Sequence, residues 1–577
     1  RVVFYVKEGA LIEAGNLQHL ILSAFDTLSE DAQRCLELAA TKGRRFSLRF
    51  LKRAFGDEDR VVAVVDELTN IGLIEADPNG GRNTLRFSHA LVADSIYQAA
   101  LLGERKRLHA KVAAAIAQDK DTRPSALAYH YEHAGMSDKA VQFYWQSASE
   151  AMAVFAVDIA DQQLERAFAL IDTQPDAITN EDYGELLVLH CHAMDAFGNF
   201  RRLNEVIEKR LPRLAAIGPS PNYVICLTLQ ALSRCHGAQY DRARQLIDHA
   251  TKVSAEIDDK PSAAWVQISM MRIYQDAELA PIEAIEDIYN GVRPVALQLG
   301  DRHMFLTAIY NLQAAYRSIG QMHKANALIE ELETFGRNSN NSRAIAYANW
   351  AKAINCFSKR DAKSLRTATQ AVLRHAPNGT ADWCVASILT VATGLLEPTA
   401  GPDPELFTPY MKETREFENF TLHHIAWVGR TLAFFKSGQI ARGQRELRAM
   451  EVDFHHSATD ELKRVLLLYQ SDILLTVAGL KPSSGPRPKL ALKDIAAFLG
   501  MRMFARRKAA RLLRSYLQQT PAQAGPLVAQ AHFGLGLLAK SRGQHTQAND
   551  HLSKAVKFYS DQGYDAAAGD VMTALNG

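Results

Sequence analysis

Apolar residues recur at helical spacing from Leu17 onward, with Leu17, Leu20, Ile21 and Phe25 expected on one face. A second amphipathic stretch follows the cap Ser29-Glu30-Asp31 and carries Cys35, Leu36, Leu38 and Ala39. Two more helices are expected over residues 47–55 and 57–71. Then the period changes. Gly72-Leu73-Ile74-Glu75-Ala76 reads as a short strand, Asp77-Pro78-Asn79-Gly80-Gly81 as a tight turn, and Thr84-Leu85-Arg86-Phe87 as the return strand. A long helix is expected from about Ala90 through Leu101, and from about Arg123 onward the pattern is helical throughout.

Within that helical stretch one small pattern recurs. A glycine ends a helix, and five residues later a small residue sits in the next one: Gly135 and Ala140, Gly320 and Ala325, Gly438 and Gly443, Gly543 and Ala548. Ala238 with Ala243 is a weaker copy, and Gly198 with Leu203 weaker still. Glycine accepts the left-handed conformation that stops a helix, and the small residue lets the next helix cross closely. The flanks agree. Leu127, Ala128 and Tyr131 precede the first copy, with Tyr144 and Ser147 after it; Leu312 and Tyr316 precede the Gly320 copy, with Ile329 and Leu332 after it; Leu535, Gly536 and Ala539 precede the last, with Leu552 and Ala555 after it. These offsets resemble the tetratricopeptide repeat (TPR), although the first-helix tryptophan is largely missing and the spacing is irregular. Further pairs are expected in the gaps, such as residues 344–357 with 363–374. The Pro-rich stretches 397–404 and 481–488 are candidate hinges or tolerated surface insertions.

The expected fold is therefore mostly α. A small winged-helix domain (helices plus a β-hairpin) spans 17–119, and a long degenerate TPR-like α-solenoid spans 120–577. Bulk properties fit a folded chain: 577 residues, 47% hydrophobic, 23% charged. A net charge of +2 gives no global pull toward nucleic acid or membrane, so any such binding rests on a local patch. The six cysteines form no C-x-x-C pair and lie mostly in apolar helical runs, as buried thiols of a cytoplasmic protein would. No apolar run approaches the length of a membrane span, so no membrane contact is expected.

One stretch is more specific. Leu28-Ser29-Glu30-Asp31-Ala32-Gln33-Arg34-Cys35-Leu36-Glu37-Leu38-Ala39-Ala40 leads into Gly43-Arg44-Arg45-Phe46-Ser47. Glu67-Leu68, Gly72-Leu73-Ile74, Leu85-Arg86-Phe87-Ser88-His89-Ala90-Leu91-Val92, Ile96-Tyr97 and Arg105-Lys106-Arg107-Leu108-His109 follow. Together these resemble the winged-helix segment of bacterial STAND signal-transduction ATPases, which runs into TPRs in that family's transcriptional regulators and cyclase-linked members. The resemblance is specific over residues 1–175 and generic beyond. It implies a nucleotide switch: an upstream ATPase domain binds nucleotide, the winged helix clamps it, and the repeats sense a protein or small-molecule effector, with self-association on activation. His89 then matches the histidine that reaches the nucleotide diphosphate, although the aspartate usual after it is Ala90 here. Residues 1–16 look like the end of the missing upstream part. No G-x-x-x-x-G-K-[ST] loop occurs in the sequence, so no cofactor is expected in this chain, and ATP or ADP enters only with an upstream ATPase domain.

Other chemistry is sparse. His190 and His192 stand two apart on a helix and do not converge, and His423-His424 and His455-His456 are adjacent, so no metal site is expected. No G-x-S-x-G or H-E-x-x-H motif appears, and no catalytic residue is assigned. The main basic run is Arg502, Arg506, Arg507, Lys508, Arg511 and Arg514, with Arg507, Arg511 and Arg514 on one helical face. It reads as a solvated face, or as a contact for an acidic partner or nucleic-acid phosphate. Arg44, Arg45, Arg49, Lys52 and Arg53 give the winged helix basic residues that could meet DNA. Three readings stay open: sensor arm of a STAND ATPase, stand-alone TPR adaptor, and winged-helix DNA-binding protein. The first predicts that this chain does not hydrolyse ATP; turnover that survives further purification contradicts it.

Overall fold

A computed structural model describes residues 14–80, 83–275, 280–397, 401–457, 460–481, 490–520 and 525–576. Residues 1–13, the hinge candidate at 482–488 and the middle of the one at 397–404 lie outside the described residues. The chain divides into two compact units, Arg1–Ala151 with Asp158–Asp182, and Met152–Val157 with Tyr183–Gly577.

The first unit opens with the helix Ala14–Asp26. Ile21 is buried, but Leu20 is 52% exposed: the apolar face centres on the Ile21 side, and Leu20, a third of a turn away, falls outside it. The next three helices are Glu30–Lys42, Leu48–Phe55 and Glu58–Ile71, and each begins at a side-chain cap. Ser29 accepts from Ala32 N, Ser47 from Phe50 N and Asp57 from Arg60 N. Gly72 takes the left-handed conformation that ends the last of them. The expected hairpin forms from Ile74–Ala76 and Thr84–Phe87, but it belongs to a three-stranded antiparallel sheet. Arg45–Ser47 is the first strand, β1; with the hairpin strands as β2 and β3, the order is β1-β3-β2. Three residues are too few to show alternation, so β1 left no periodic signal. The helix expected over 90–101 spans Ala90–Ala99, and a separate helix, Leu102–Ile116, follows after the two extended residues Ala100 and Leu101. The helix pair Pro124–Ala134 and Ser137–Ala153 then turns at Gly135.

The second unit is a TPR-like α-solenoid: among its described residues every regular element is helical. Each expected turn residue has positive φ: Gly198 68°, Gly320 79°, Gly438 83°, Gly543 72°, and even Ala238 at 54°. The residue five positions on is buried in the packed helix, as at Leu203, Ala243, Ala325 and Ala548. The backbone closes these turns in the same way each time. Gln239, Gln321, Gln439 and Gln544 donate their N–H to Arg234, Tyr316, Phe434 and Ala539, the six-to-one bond of a Schellman end. The pair expected at 344–357 and 363–374 is Ser342–Ser358 with Ala362–His375, and its turn uses a left-handed Arg360.

The two helices of a pair differ in burial. Second helices such as Met322–Asn338 bury one stripe: Met322, Ala325, Ile329, Leu332 and Gly336. First helices are buried nearly all round. In Pro221–His236 every residue from Cys226 to Ser233 is buried, and in Arg302–Ser318 all from Met304 to Tyr316 except Thr307 and Tyr310. Helices burying every side have neighbours on their inner side too. Separately, helix ends far apart in sequence meet: Asn419 Nδ2 donates to Gly198 O at 3.3 Å, Arg201 N to Phe417 O at 3.0 Å and Met322 N to Gln562 Oε1 at 3.3 Å. The solenoid thus closes on itself where these helix ends meet.

A Cβ on Gly320 would stand 2.6 Å from Gly525 Cα in the adjacent turn, whereas one on Gly543 would meet nothing within 4 Å. Both glycines are left-handed. Gly543→Ala is expected to cost about 1–2 kcal/mol of backbone strain. Gly320→Ala adds about 1–3 kcal/mol of overpacking. Denaturant midpoints measure the difference, and equal losses contradict the closed turn.

Candidate functional site

Three sets of residues carry the site chemistry. In the first unit, His89 caps the helix Ala90–Ala99 with no side-chain hydrogen bond to it, and its ring is exposed. Arg44 is also exposed. The other arginines of the small sheet are paired: Arg45 Nε lies 3.0 Å from Asp77 Oδ2, and Arg86 Nη2 lies 2.5 Å from Glu75 Oε1. Lys52 pairs with Glu58 at 3.1 Å. These carboxylates offset two of the five basic residues named for a DNA contact, Arg45 and Lys52. Between the helices Leu102–Ile116 and Pro124–Ala134, His109 and His130 meet Nδ1 to Nδ1 at 2.9 Å, and His109 Nε2 meets Tyr97 OH at 2.9 Å. Burial holds His109 down to about 4 and His130 to about 3. Two residues twenty-one positions apart gave no sequence signal for this pair.

The second set lies on the helix Leu492–Gln519, the outer helix of its pair. Arg502, Arg506, Arg507, Arg511 and Arg514 are exposed as expected, while Lys508 turns to Glu451 at 3.4 Å. Pattern reading missed the apolar half of the same face. Leu492, Ile495, Leu499 and Met503 recur at helical spacing and are 87%, 41%, 57% and 71% exposed, with Phe504 beside them at 58%. The helix has one carboxylate, Asp494, and it is buried, accepting from Ala441 N at 2.9 Å. The outward face is therefore apolar along its first turns and basic along its last. Arginines at i, i+4 spacing repel each other, and no ion pair offsets this at Arg506, Arg507, Arg511 or Arg514 among the described residues.

The third set is the filling of the closed turn, a polar hub from helices far apart in sequence. Arg343 Nη1 donates to His303 Nδ1 at 2.7 Å, and its Nη2 reaches Tyr347 OH at 3.1 Å and Asp195 Oδ2 at 3.5 Å. His303 Nε2 lies 3.5 Å from the same Asp195 oxygen, and the His192 ring stacks on His303 at 4.2 Å. Burial keeps His303 well below the usual histidine range, so it stays neutral. Asp382 stands beside this cluster, 1% exposed, and neither carboxylate oxygen has a hydrogen-bond partner among the described residues. Burial pushes it up to about 7; Arg343 opposes the rise and Asp195 adds to it.

No family model matches the chain. An uncharacterized protein of Rhizobium meliloti (strain 1021) is 28% identical over 186 residues, which is 30% of this chain and 18% of that protein. The match thus spans less than a fifth of that relative's length. Among solved structures, a STAND protein with a tetratricopeptide repeat sensor from Pyrococcus horikoshii has a TM-score of 0.38 at 10% identity, over 87% of this chain and 66% of that one. The APC/C hetero-tetramer Cut9–Hcn1 gives 0.37 at 11% identity, over 83% and 87%. At such scores the fold rests on the turns and burial of this chain itself.

Asp382 yields a pH-dependent expectation. Its folded value is raised above the unfolded one, so its contribution to stability is complete below the ordinary carboxylate value and lost as pH rises through about 7. Asp382→Asn removes the titration. The variant is expected to match the parent near pH 4 and to exceed it by about 1–3 kcal/mol at pH 8, where the parent buries an unsatisfied charge. Denaturation at the two pH values measures this, and a less stable variant at pH 8 contradicts it.

Proposed function

We propose that this chain is the partner-binding arm of a STAND-type nucleotide switch, and that a protein partner docks on the outward face of Leu492–Gln519. The observation that carries the reading is that face: an exposed apolar stripe continuing into uncompensated arginines. Large exposed apolar patches mark interaction sites in soluble proteins. Arginine forks pair with carboxylates two bonds at a time. The complementary occupant is an acidic amphipathic segment, apolar at one end and carboxylate-rich at the other. The closed inner side of the solenoid favours an outer docking face.

The switch half of the reading rests on the run from Leu28 to His109 and on an exposed His89 that is free to meet a nucleotide held by an upstream ATPase domain. Control of transcription is the output by analogy with the family. The adaptor reading shares the docking face and lacks the nucleotide. The DNA reading is supported less, because two of its five basic residues, Arg45 and Lys52, are already paired.

Site-specific photo-crosslinking in the native host tests the docking face. A crosslinker replacing Phe504 is expected to capture a protein through an acidic segment, and Arg506→Glu with Arg507→Glu abolishes the adduct. The same probe at exposed Glu256 serves as control; equal capture there, or none at Phe504, overturns the reading. For the switch, the coding sequence before Arg1 should contain a phosphate-binding loop, and His89→Ala in the full-length protein should release ADP. A start codon directly before Arg1 leaves the adaptor.

A further inference from the structure

Residues assigned from sequence to a DNA contact line something else. Arg49 and Arg53 edge a cavity of about 320 Å³ in the first unit, together with Lys42 and Arg123. Its wall also holds Phe50, Ile116 and Ala126. Four cationic side chains thus face one carboxylate, Asp119. None of the four has an ion-pair partner among the described residues, unlike Arg45, Lys52 and Arg86 close by. The Ile116 carbonyl at the cavity wall is already taken, accepting from Asp119 N at 3.0 Å and from Thr122 Oγ1 at 2.7 Å. Lys42 is partly buried, and that burial pulls its ammonium below the usual lysine range. Cations gathered without counter-charge around a concavity repel one another, and an anion of matching charge removes that repulsion.

We infer that this cavity binds a small ligand carrying a diphosphate or an equivalent cluster of phosphoryl charge, such as a nucleoside diphosphate. Three excess positive charges suit a polyphosphate better than a single carboxylate. The volume admits a small molecule and excludes a duplex. Phe50, Ile116 and Ala126 give an apolar surface for the non-phosphate part. His89 does not line the cavity, and the inference stands independently of the switch reading.

Calorimetry on this chain, in buffer free of phosphate and sulfate, tests it with pyrophosphate, ADP and inorganic phosphate as probes. Pyrophosphate or ADP is expected to bind. Arg53→Gln and Arg123→Gln should each weaken binding at least tenfold with the melting temperature of the free protein unchanged. Asp119→Asn should tighten it several-fold, a gain that a structural role would not produce. Equal affinity for ADP and pyrophosphate means that phosphate alone is read; tighter ADP means that the apolar wall holds the base; both uphold the site. Absence of binding, unaltered affinity in both arginine variants, or duplex DNA displacing ADP through the same residues overturns it.

Discussion

The solenoid depends on one backbone event repeated along the chain. A residue enters the left-handed region, the helix stops with a six-to-one hydrogen bond, and the chain reverses into the next helix. Gly320, Gly438 and Gly543 do this without side-chain strain, and Ala238 and Arg360 do it with some. Five residues later a small or buried side chain sets how closely the helices cross. Repetition of this step makes the superhelix, and its tight crossing brings one turn onto the next.

That closure then decides what the unit can do. The first N–H groups and last carbonyls of a helix have no partner within it. Here Arg201 N, near the start of Phe200–Ile217, finds Phe417 O just past the end of Thr408–Glu416. Orphan groups from distant helices satisfy each other. The space inside is filled by Arg343, Asp195, His303 and Asp382, a set whose charges are only partly matched. Burying such groups is unfavourable unless they are paired, so the hub is a place where a small chemical change shifts stability. Outer helices are left to present surface, and Leu492–Gln519 presents an apolar stripe that runs into arginines.

Much of this architecture could be read from periodicity. The turn glycines, the buried flanks such as Tyr144, Leu312 and Leu552, the caps Ser29 and Asp57, and the hairpin at Asp77-Pro78-Asn79-Gly80-Gly81 all follow local rules. What escaped was non-local or too short. The strand Arg45–Ser47 has three residues, and the turn at Glu418 carries no glycine. The hub joins Asp195 to Arg343 across 148 positions, which no local pattern encodes. The basic run near Arg507 was visible, but its apolar continuation through Leu499 and Met503 was indistinguishable from a core-facing stripe until burial was known. Arg49 and Arg53 were visible as charges, and the fold supplied the cavity they share with Arg123.

The central claim is that the repeat unit closes after one turn, leaving its outward faces for partners. Hydrogen exchange at the Arg201 amide tests this most directly. Arg201 is the second residue of its helix, where no intrahelical carbonyl is available, so its protection reports the bond to Phe417 across the turn. Asp241 holds the same position in Tyr240–Ile257 and provides the internal reference. The account predicts that Arg201 exchanges far more slowly than Asp241. Equally fast exchange at the two amides would mean that the turns part in solution and that the inner face is open.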